Sequence, residues 1–386
     1  MGGTRNVVPV TTKDYRELAE KRLPRFLFDY ADGGANEEQT LAANAADFAA
    51  IKLRQRVMRD VSEVNTSTTL AGRDVSMPLA LSPVGMAGMY ARRGEVKGLL
   101  AASKAGIPFS LSTLGICSLE ELSAASSQPV WFQLYMMRDR ETVRRLLGRA
   151  QENGCNTLLF TVDLAEPGLR HRDTRHAVFQ AVTPRIRLAR ARQLLAKPGW
   201  IWDVGVRGKP HNIGSLADVI PDPTDLNAYR MWIAKQFDPS VTWKDIEWLR
   251  SIWKGRLYIK GILEADDARA AADAGADGVV VSNHGGRQLD GVASSISKLP
   301  AVVDAVGDRV EVLMDGGVRN GLDVLRAVAL GARGAMIGRP WLYAIAGAGQ
   351  QGLIDLLENF RQELRVAMVL AGVNRIADVN RSLIDA

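Results

Sequence analysis

From about Pro78 onward, short apolar runs alternate with longer stretches whose apolar positions recur every three or four residues. The runs are Leu79–Val84, Phe109–Thr113, Val130–Tyr135, Leu158–Asp163, Leu257–Gly261, Val279–His284, Val310–Asp315 and Ala335–Gly338. Most lack strict apolar/polar alternation, the pattern of strands buried on both faces. The stretches between them predict helices, among them Gly94–Ala105, Ser118–Ala125, Arg140–Asn153, Ala265–Ala274, Ser294–Val306 and Gly321–Leu330. Several hand over to the next strand through a glycine, as at Gly106 and Gly275, which suits a left-handed helix stop. Eight alternations predict an α/β fold with one closed (β/α)8 TIM barrel rather than an open doubly wound sheet.

Two regions fall outside this rhythm. Residues 1–77 carry helical patterns at Lys13–Leu23 and Asn36–Phe48 and no Ser/Gly/Pro linker, so they are expected to cap the barrel (residues 78–386) within a single domain. Residues 164–256 separate the fourth and fifth predicted strands by far more than the usual connection of ~2–6 residues on each side of a helix. Accessory function is expected in this connection.

Composition narrows the class. Hydrophobic residues make up 47% of the 386, enough for a large core, and no run approaches the ~18 apolar residues of a membrane span. Met1 to Val10 lacks an apolar core behind basic residues, so no secretory leader is expected. Cys117 and Cys155 are far apart, form no CxxC pair and fit a reduced compartment. Between Arg170 and Lys209 stand ten Lys/Arg and only Asp173 and Asp203, so this segment carries +8 of a chain whose net charge is +6. The rest is −2. Such local charge disfavours nucleic acid and points to an anionic partner at one place.

In a (β/α)8 barrel the reactive groups come from the carboxyl ends of the strands. Here those ends include Ser82-Pro83-Val84-Gly85, Ser112-Thr113, Gln133-Leu134-Tyr135, Thr161-Val162-Asp163, Lys260-Gly261, Ser282-Asn283-His284, Asp315-Gly316-Gly317 and Gly338-Arg339. So many polar ends are costly to bury for packing alone. Asp315–Arg319 and Ile337–Arg339 bring glycines and two arginines to the loops after strands seven and eight, where such barrels bind phosphate. No GxGxxG fingerprint stands after an early strand, which disfavours a nicotinamide cofactor. No metal is expected. His284 is the one histidine of four at a strand end, with a titration range suited to proton abstraction near neutral pH. Arg287 offers a planar fork to a carboxylate.

The run Ser282-Asn283-His284-Gly285-Gly286-Arg287-Gln288-Leu289-Asp290-Gly291 closely resembles the active-site signature of the FMN-dependent L-2-hydroxy acid oxidising enzymes. The resemblance extends through Leu23–Tyr30, Asp32–Gly34, Phe132–Tyr135, Thr161–Asp163, Ile259–Ile262, Asp315–Gly317 and Ile337–Pro340. It implies an FMN cofactor and a set of roles. His284 takes a proton from the substrate and Asp163 stabilises the resulting imidazolium. Arg287 and Arg170 clamp the carboxylate, with Tyr30 adding a hydroxyl. Tyr135 hydrogen-bonds the developing charge on the substrate oxygen. Lys260 lies beside the flavin N1/C2 edge. Pro83, Val84, Gly85, Ser112, Gln133, Thr161 and Ser282 resemble the groups around the flavin ring. Asp315, Gly316, Gly317, Arg319, Gly338 and Arg339 resemble the ribityl-phosphate site.

Within that family, Pro83–Glu95, Gly208–Gly214, Phe237–Asp245 and Val318–Asp323 most resemble the bacterial respiratory L-lactate dehydrogenases. This implies L-lactate as substrate, a membrane quinone as acceptor and a homo-oligomer, a tetramer in many members. The alternative is a dehydrogenase or oxidase for mandelate, glycolate or a longer 2-hydroxy acid, with oxygen as acceptor. Gly85, small where oxidases of the family tend to carry Ala, favours the quinone. Met86, Leu114 and the loop after strand four are candidate specificity elements. Residues 185–209, with the arginines of Pro184–Leu195 beside Trp200-Ile201-Trp202, suit peripheral contact with the inner face of a bacterial membrane, each cation there being worth about 1 kcal/mol. A mobile active-site lid is the other reading of this segment.

Overall fold

The computed structural model describes residues 8–178, 182–220 and 235–385. Residues 1–7, part of the stretch from which no leader was expected, and 179–181 and 221–234 of the long connection lie outside the described residues. The chain opens with three cap helices, α1 (Thr12–Arg22), α2 (Arg25–Asp32) and α3 (Gln39–Ala50). Strand β1 (Lys52–Leu53) and a hairpin of β2 (Thr68–Leu70) and β3 (Arg73–Val75) follow. The sequence pattern had marked only helices here.

The barrel then alternates β4 (Leu79–Leu81), α4 (Gly94–Ala105), β5 (Ser110–Ser112), α5 (Leu119–Ala125), β6 (Trp131–Leu134), α6 (Arg140–Glu152) and β7 (Thr157–Thr161). The long connection carries α7 (His171–Arg175), α8 (Pro184–Leu195), α9 (Pro198–Trp200) with a π-helical turn at Ile201–Val206, and α10 (Trp243–Ile252). The second half runs β8 (Arg256–Ile262), α11 (Ala265–Asp273), β9 (Gly278–Val281), α12 (Ser295–Val306), β10 (Glu311–Met314), α13 (Gly321–Ala329), β11 (Gly334–Ile337) and α14 (Arg339–Ala371). A last strand, β12 (Ile384–Asp385), pairs with β1.

Strands β4 to β11 form one parallel eight-stranded sheet in sequence order, β11 pairing with β4. A bridge between Leu81 and Phe109 joins β4 to the start of β5 and closes the cylinder. The closed barrel expected from the periodicity is therefore present, with each predicted strand within a few residues of its observed place.

Two apolar clusters hold it together. Outside, the sheet and its helices bury side chains such as Leu99, Phe109, Val143, Ile259 and Trp341, each contributing about 1.5–3 kcal/mol by leaving water. Inside, Ala80, Trp131, Leu159, Tyr258, Val280, Leu313 and Met336 fill the lower barrel, plugged from below by Leu70, Ala71 and Val75 of the hairpin. The rings of Trp131 and Tyr258 stack at 6.2 Å.

Side chains two residues further along a strand return to the same face. One step above the apolar layer the interior residues are Ser82, Ser112, Gln133, Thr161, Lys260, Ser282, Asp315 and Gly338. Every strand thus places a polar residue or a glycine at the carboxyl rim, and the seven with polar side chains are all buried. The alternation that builds the core also builds a polar floor.

Candidate active site

Above this floor the chain turns sharply after β9. His284 adopts a left-handed backbone, φ +57°, followed by Gly285 and Gly286 with positive φ as well. For a residue with a Cβ this conformation is strained by about 1–3 kcal/mol and clusters at functional sites. It is held by the His284 N–H donating to Ser282 Oγ at 3.0 Å. The same Oγ accepts from Lys260 Nζ at 2.9 Å, which ties the histidine turn to the floor.

The imidazole is fixed on both sides. Nδ1 lies 2.8 Å from Asp163 Oδ1 and Nε2 lies 3.4 Å from the Tyr135 hydroxyl. The Tyr135 and His284 rings are nearly parallel at 6.4 Å. A bulge in β8 between Lys260 and Ile262 admits Asp163. A Cβ on Gly261 would sit 2.6 Å from that of Asp163, so the position tolerates only glycine. The Asp163 backbone carbonyl accepts Gln288 Nε2 at 2.7 Å. Gln288 had been read only as part of a motif, yet it locks the catalytic loop to the loop after β7.

Burial opposes the charge on Asp163, but His284 and then Lys260 outweigh it and leave its carboxyl below the usual range. Burial likewise works against Lys260, and Asp315, at 2.9 Å, with Asp163 more than offsets it, so its ammonium is held above the ordinary lysine value. The Tyr135 phenol is pushed up, first by burial and then by the charge of Asp163. At neutral pH the site holds a carboxylate, an ammonium and a protonated phenol around one imidazole.

Two guanidinium groups flank Tyr30 of the cap. The Arg287 and Arg170 carbons lie 4.9 and 5.4 Å from the Tyr30 ring centroid, so the three form one stack. Arg287 Nη1 donates to the Tyr30 and Gly33 carbonyls at 2.7 and 3.0 Å. Arg170 Nε donates to Asp173 at 2.5 Å, a partner absent from the sequence reading. Both guanidiniums and Tyr30 are electrostatic neighbours of the Tyr135 phenol. The residues expected to share one substrate are brought together.

The phosphate end differs in detail from the expectation. A Cβ on Gly317 would meet the Asn44 carbonyl at 2.0 Å and one on Gly316 the Ser295 hydroxyl at 2.9 Å. Packing against α3 and α12 therefore also requires glycine at these two positions. Arg339 directs Nε, Nη1 and Nη2 to the carbonyls of Ala31, Gly285 and Gly33 at 2.7–3.0 Å, tying the cap, the histidine turn and the start of α14 together. Arg319 and Arg339 share the lining of a cavity of about 480 Å³. Burial lowers both, Arg339 to about 10. Beside them α14 begins with no side-chain cap. Two cations disfavoured by burial and an uncapped helix start suit a bound anion.

The sequence profile of the FMN-dependent dehydrogenase family matches residues 19–386. This chain belongs to the FMN-dependent dehydrogenase family. An L-lactate dehydrogenase of Caulobacter sp. (strain K31) is 54% identical over 374 residues, 97% of this chain and 98% of that one. An L-lactate dehydrogenase of Yersinia pestis (strain Pestoides F) is 52% identical over 368 residues, 95% and 96% of the two chains. Among solved structures, the monotopic membrane protein (S)-mandelate dehydrogenase superposes with a TM-score of 0.91 at 32% identity, over 98% of this chain and 99% of that one.

FMN is the cofactor of this FMN-dependent dehydrogenase, and the polar floor fits it. Gln133 Nε2, Thr161 Oγ1 and Asp315 Oδ1 are buried there without a hydrogen-bond partner, each a cost of about 1–3 kcal/mol if left so. An amide, a hydroxyl and the Lys260 ammonium form a donor set matched to the carbonyl-bearing edge of a flavin ring. Ser112 Oγ donates to Gln133 Oε1 at 3.0 Å, which turns the amide nitrogen outward. Pro83, Val84 and Gly85 leave β4 beside this floor. A Cβ on Gly85 would sit 3.4 Å from Leu114 Cβ and 4.0 Å from Ser112 Oγ, ordinary contacts that an alanine could make. Ser82, marked in the sequence only as a polar strand end with no role assigned, joins the floor by its place two steps above Ala80.

Proposed function

We propose that this FMN-dependent dehydrogenase oxidises L-lactate to pyruvate and delivers the electrons to a membrane quinone at the cytoplasmic face of a bacterial inner membrane. The observation that carries the chemistry is the His284–Asp163 pair, set over a buried polar floor, with the Arg287–Tyr30–Arg170 cluster neighbouring the Tyr135 phenol that touches His284. The lactate dehydrogenases of Caulobacter and Yersinia support the choice of acid.

Arg287 and Arg170 hold the substrate carboxylate by charge-assisted hydrogen bonds, which leaves C2 and its hydroxyl toward His284. Oxidation to the 2-keto acid removes two electrons and two protons, one of which is taken at His284 Nε2. Bound FMN would supply the acceptor of the two electrons and of the second proton. Asp163 fixes the tautomer through Nδ1 and stabilises the imidazolium once it forms. The protonated Tyr135 donates to the substrate oxygen as charge develops there. Lys260, its charge kept by Asp315 and Asp163, holds a cation at the floor.

Membrane attachment rests on the long connection. No helix among the described residues is long and apolar enough to cross a membrane. Helix α8 has no buried residue, and Leu188, Leu195, Trp202 and Val206 are exposed near Arg185, Arg187 and Arg192. Part of the expected surface is used differently. Trp200 is buried, donating Nε1 to the Met89 carbonyl at 2.9 Å, because its ring fills the gap between connection and barrel. Arg190 donates to the His176 and Ala177 carbonyls and lies 5.5 Å over Phe26, while Lys197 bonds the end of α1. A narrower set of cations and one exposed tryptophan therefore remains for lipid.

Stopped-flow reoxidation of the reduced protein tests the acceptor. Rapid reaction with a soluble quinone and slow reaction with oxygen is expected; the reverse order would replace the dehydrogenase with an oxidase. Flotation with anionic liposomes tests attachment, and equal flotation of the protein and a form lacking 185–209 would end that part of the proposal.

A further inference from the structure

Outside the polar floor the chain buries several carboxylates that no step above uses, and among the described residues Glu95 is the least exposed of them. Glu95, in the first turn of α4, is 1% exposed. Its Oε1 accepts the backbone N–H of Gly88 at 3.1 Å and that of Ile116 at 2.8 Å. Its Oε2 is buried without a hydrogen-bond partner. Burial, then the nearby Glu95 side chain, pushes the neighbouring Cys117 thiol up.

Gly88 belongs to the loop after β4 and Ile116 to the loop after β5. The two loops also share a bond from the Met86 N–H to the Leu114 carbonyl at 2.8 Å. They touch so closely that a Cβ on Gly88 would meet that of Ile116 at 2.6 Å. Met86 is held at φ +56°, a conformation that free chain would leave. Leu114 sits directly above the floor, its N–H 3.2 Å from Ser112 Oγ. A neutral side chain suffices to cap a helix start, whereas burying a carboxylate is costly unless it organises its surroundings. Here one oxygen gathers an amide from each of two loops and sets the spacing of their tips.

We propose that Glu95 is a positioning residue for substrate specificity: by joining the β4 and β5 loops it fixes the gap between Met86 and Leu114, and so the length of 2-hydroxy acid admitted. This rests on the hydroxy-acid reading given above. Glu95 touches neither substrate nor flavin and acts through the two loop tips.

The test compares holoenzyme carrying Glu95→Ala or Glu95→Gln with the parent, using kcat/KM for L-lactate and for (S)-2-hydroxyhexanoate, with flavin content from absorbance. Glu95→Ala, which removes the accepting oxygen, should lower the lactate-to-hydroxyhexanoate ratio about tenfold, the scale at which a pocket reads chain length, with flavin content retained. Glutamine keeps an oxygen for both amides and should hold the ratio within about twofold of the parent. A ratio unchanged in Glu95→Ala, or a glutamine variant as altered as the alanine one, would overturn the proposal. If Glu95→Ala does not fold, Glu95→Asp, one methylene too short to reach both amides, is compared with Glu95→Gln in its place. A parent that prefers the longer acid would refute lactate as substrate while leaving the ratio change as the measure of Glu95.

Discussion

Replacing Asp163 with asparagine keeps the shape of the loop and removes one charge. Its Oδ1 lies 2.8 Å from His284 Nδ1, and at an effective dielectric of about 20 a carboxylate and an imidazolium attract by about 6 kcal/mol at that separation. The pair is not fully enclosed, with side-chain exposures of 12% and 23%, and the asparagine oxygen retains part of the hydrogen bond. About 4 kcal/mol then remains as the charge-dependent part. His284 is cationic only after it has taken the substrate proton, so the loss falls on the barrier rather than on substrate binding. That is about 10³-fold in rate. Anaerobic stopped-flow reduction of the bound flavin by L-lactate reads this directly. Asp163→Asn should bleach about 10³-fold more slowly, with the saturating lactate concentration changed less than about threefold. A rate within tenfold of the parent, or a loss expressed mainly as weaker saturation, would refute the role assigned to Asp163.

Arg287→Met should raise the KM for lactate about 10–100-fold, through loss of a charge-assisted hydrogen bond to the carboxylate, and steady-state kinetics checks it. Tyr135→Phe should lower kcat about 10²-fold with little change in KM; an equal effect on both would move Tyr135 to ground-state binding. Asp32 is buried beneath Arg16, Arg172 and the Tyr343 hydroxyl at 2.6–2.8 Å. Although burial alone would raise its carboxyl, these partners hold it well below the usual range. Asp32→Asn should cost about 2–4 kcal/mol at neutral pH. A depressed acid contributes fully above its unfolded value near ~3.9 and loses that contribution as pH falls through the lower folded value. The melting-temperature gap between parent and Asp32→Asn should therefore narrow below about pH 4, and a gap that widens there would contradict the assignment.

The barrel was legible because its strands are buried on both faces and its helices on one, so that α4 falls at the residues its pattern marked. The hairpin β2–β3 was not, since three-residue strands at the foot of a barrel carry too few positions for periodicity to register. Polar strand ends marked the site, and the two-residue step from the inner apolar layer explains why they converge. Pairings between distant segments left no local signal. Asp173 lies three residues from Arg170 on a helix that the pattern of the connection did not mark. Apart from that of Gly285, the carbonyls that hold Arg287 and Arg339 come from the end of α2, more than 250 residues away. Glu95 reads in sequence as an ordinary first-turn acid of a surface helix, and only its burial distinguishes it. The glycines of the β10 loop, which the sequence marked by their place after strand seven, are required in space by close packing on Asn44 and Ser295 as well.

The most direct test mixes L-lactate anaerobically with the flavin-loaded protein and with its His284→Asn form, following flavin absorbance and pyruvate together. The parent should bleach completely with one pyruvate formed per flavin, while His284→Asn keeps the same bound flavin and bleaches at least about 10³-fold more slowly. A parent that holds no flavin, or a His284→Asn form that bleaches at the parent's rate, would contradict proton removal by this imidazole above the polar floor.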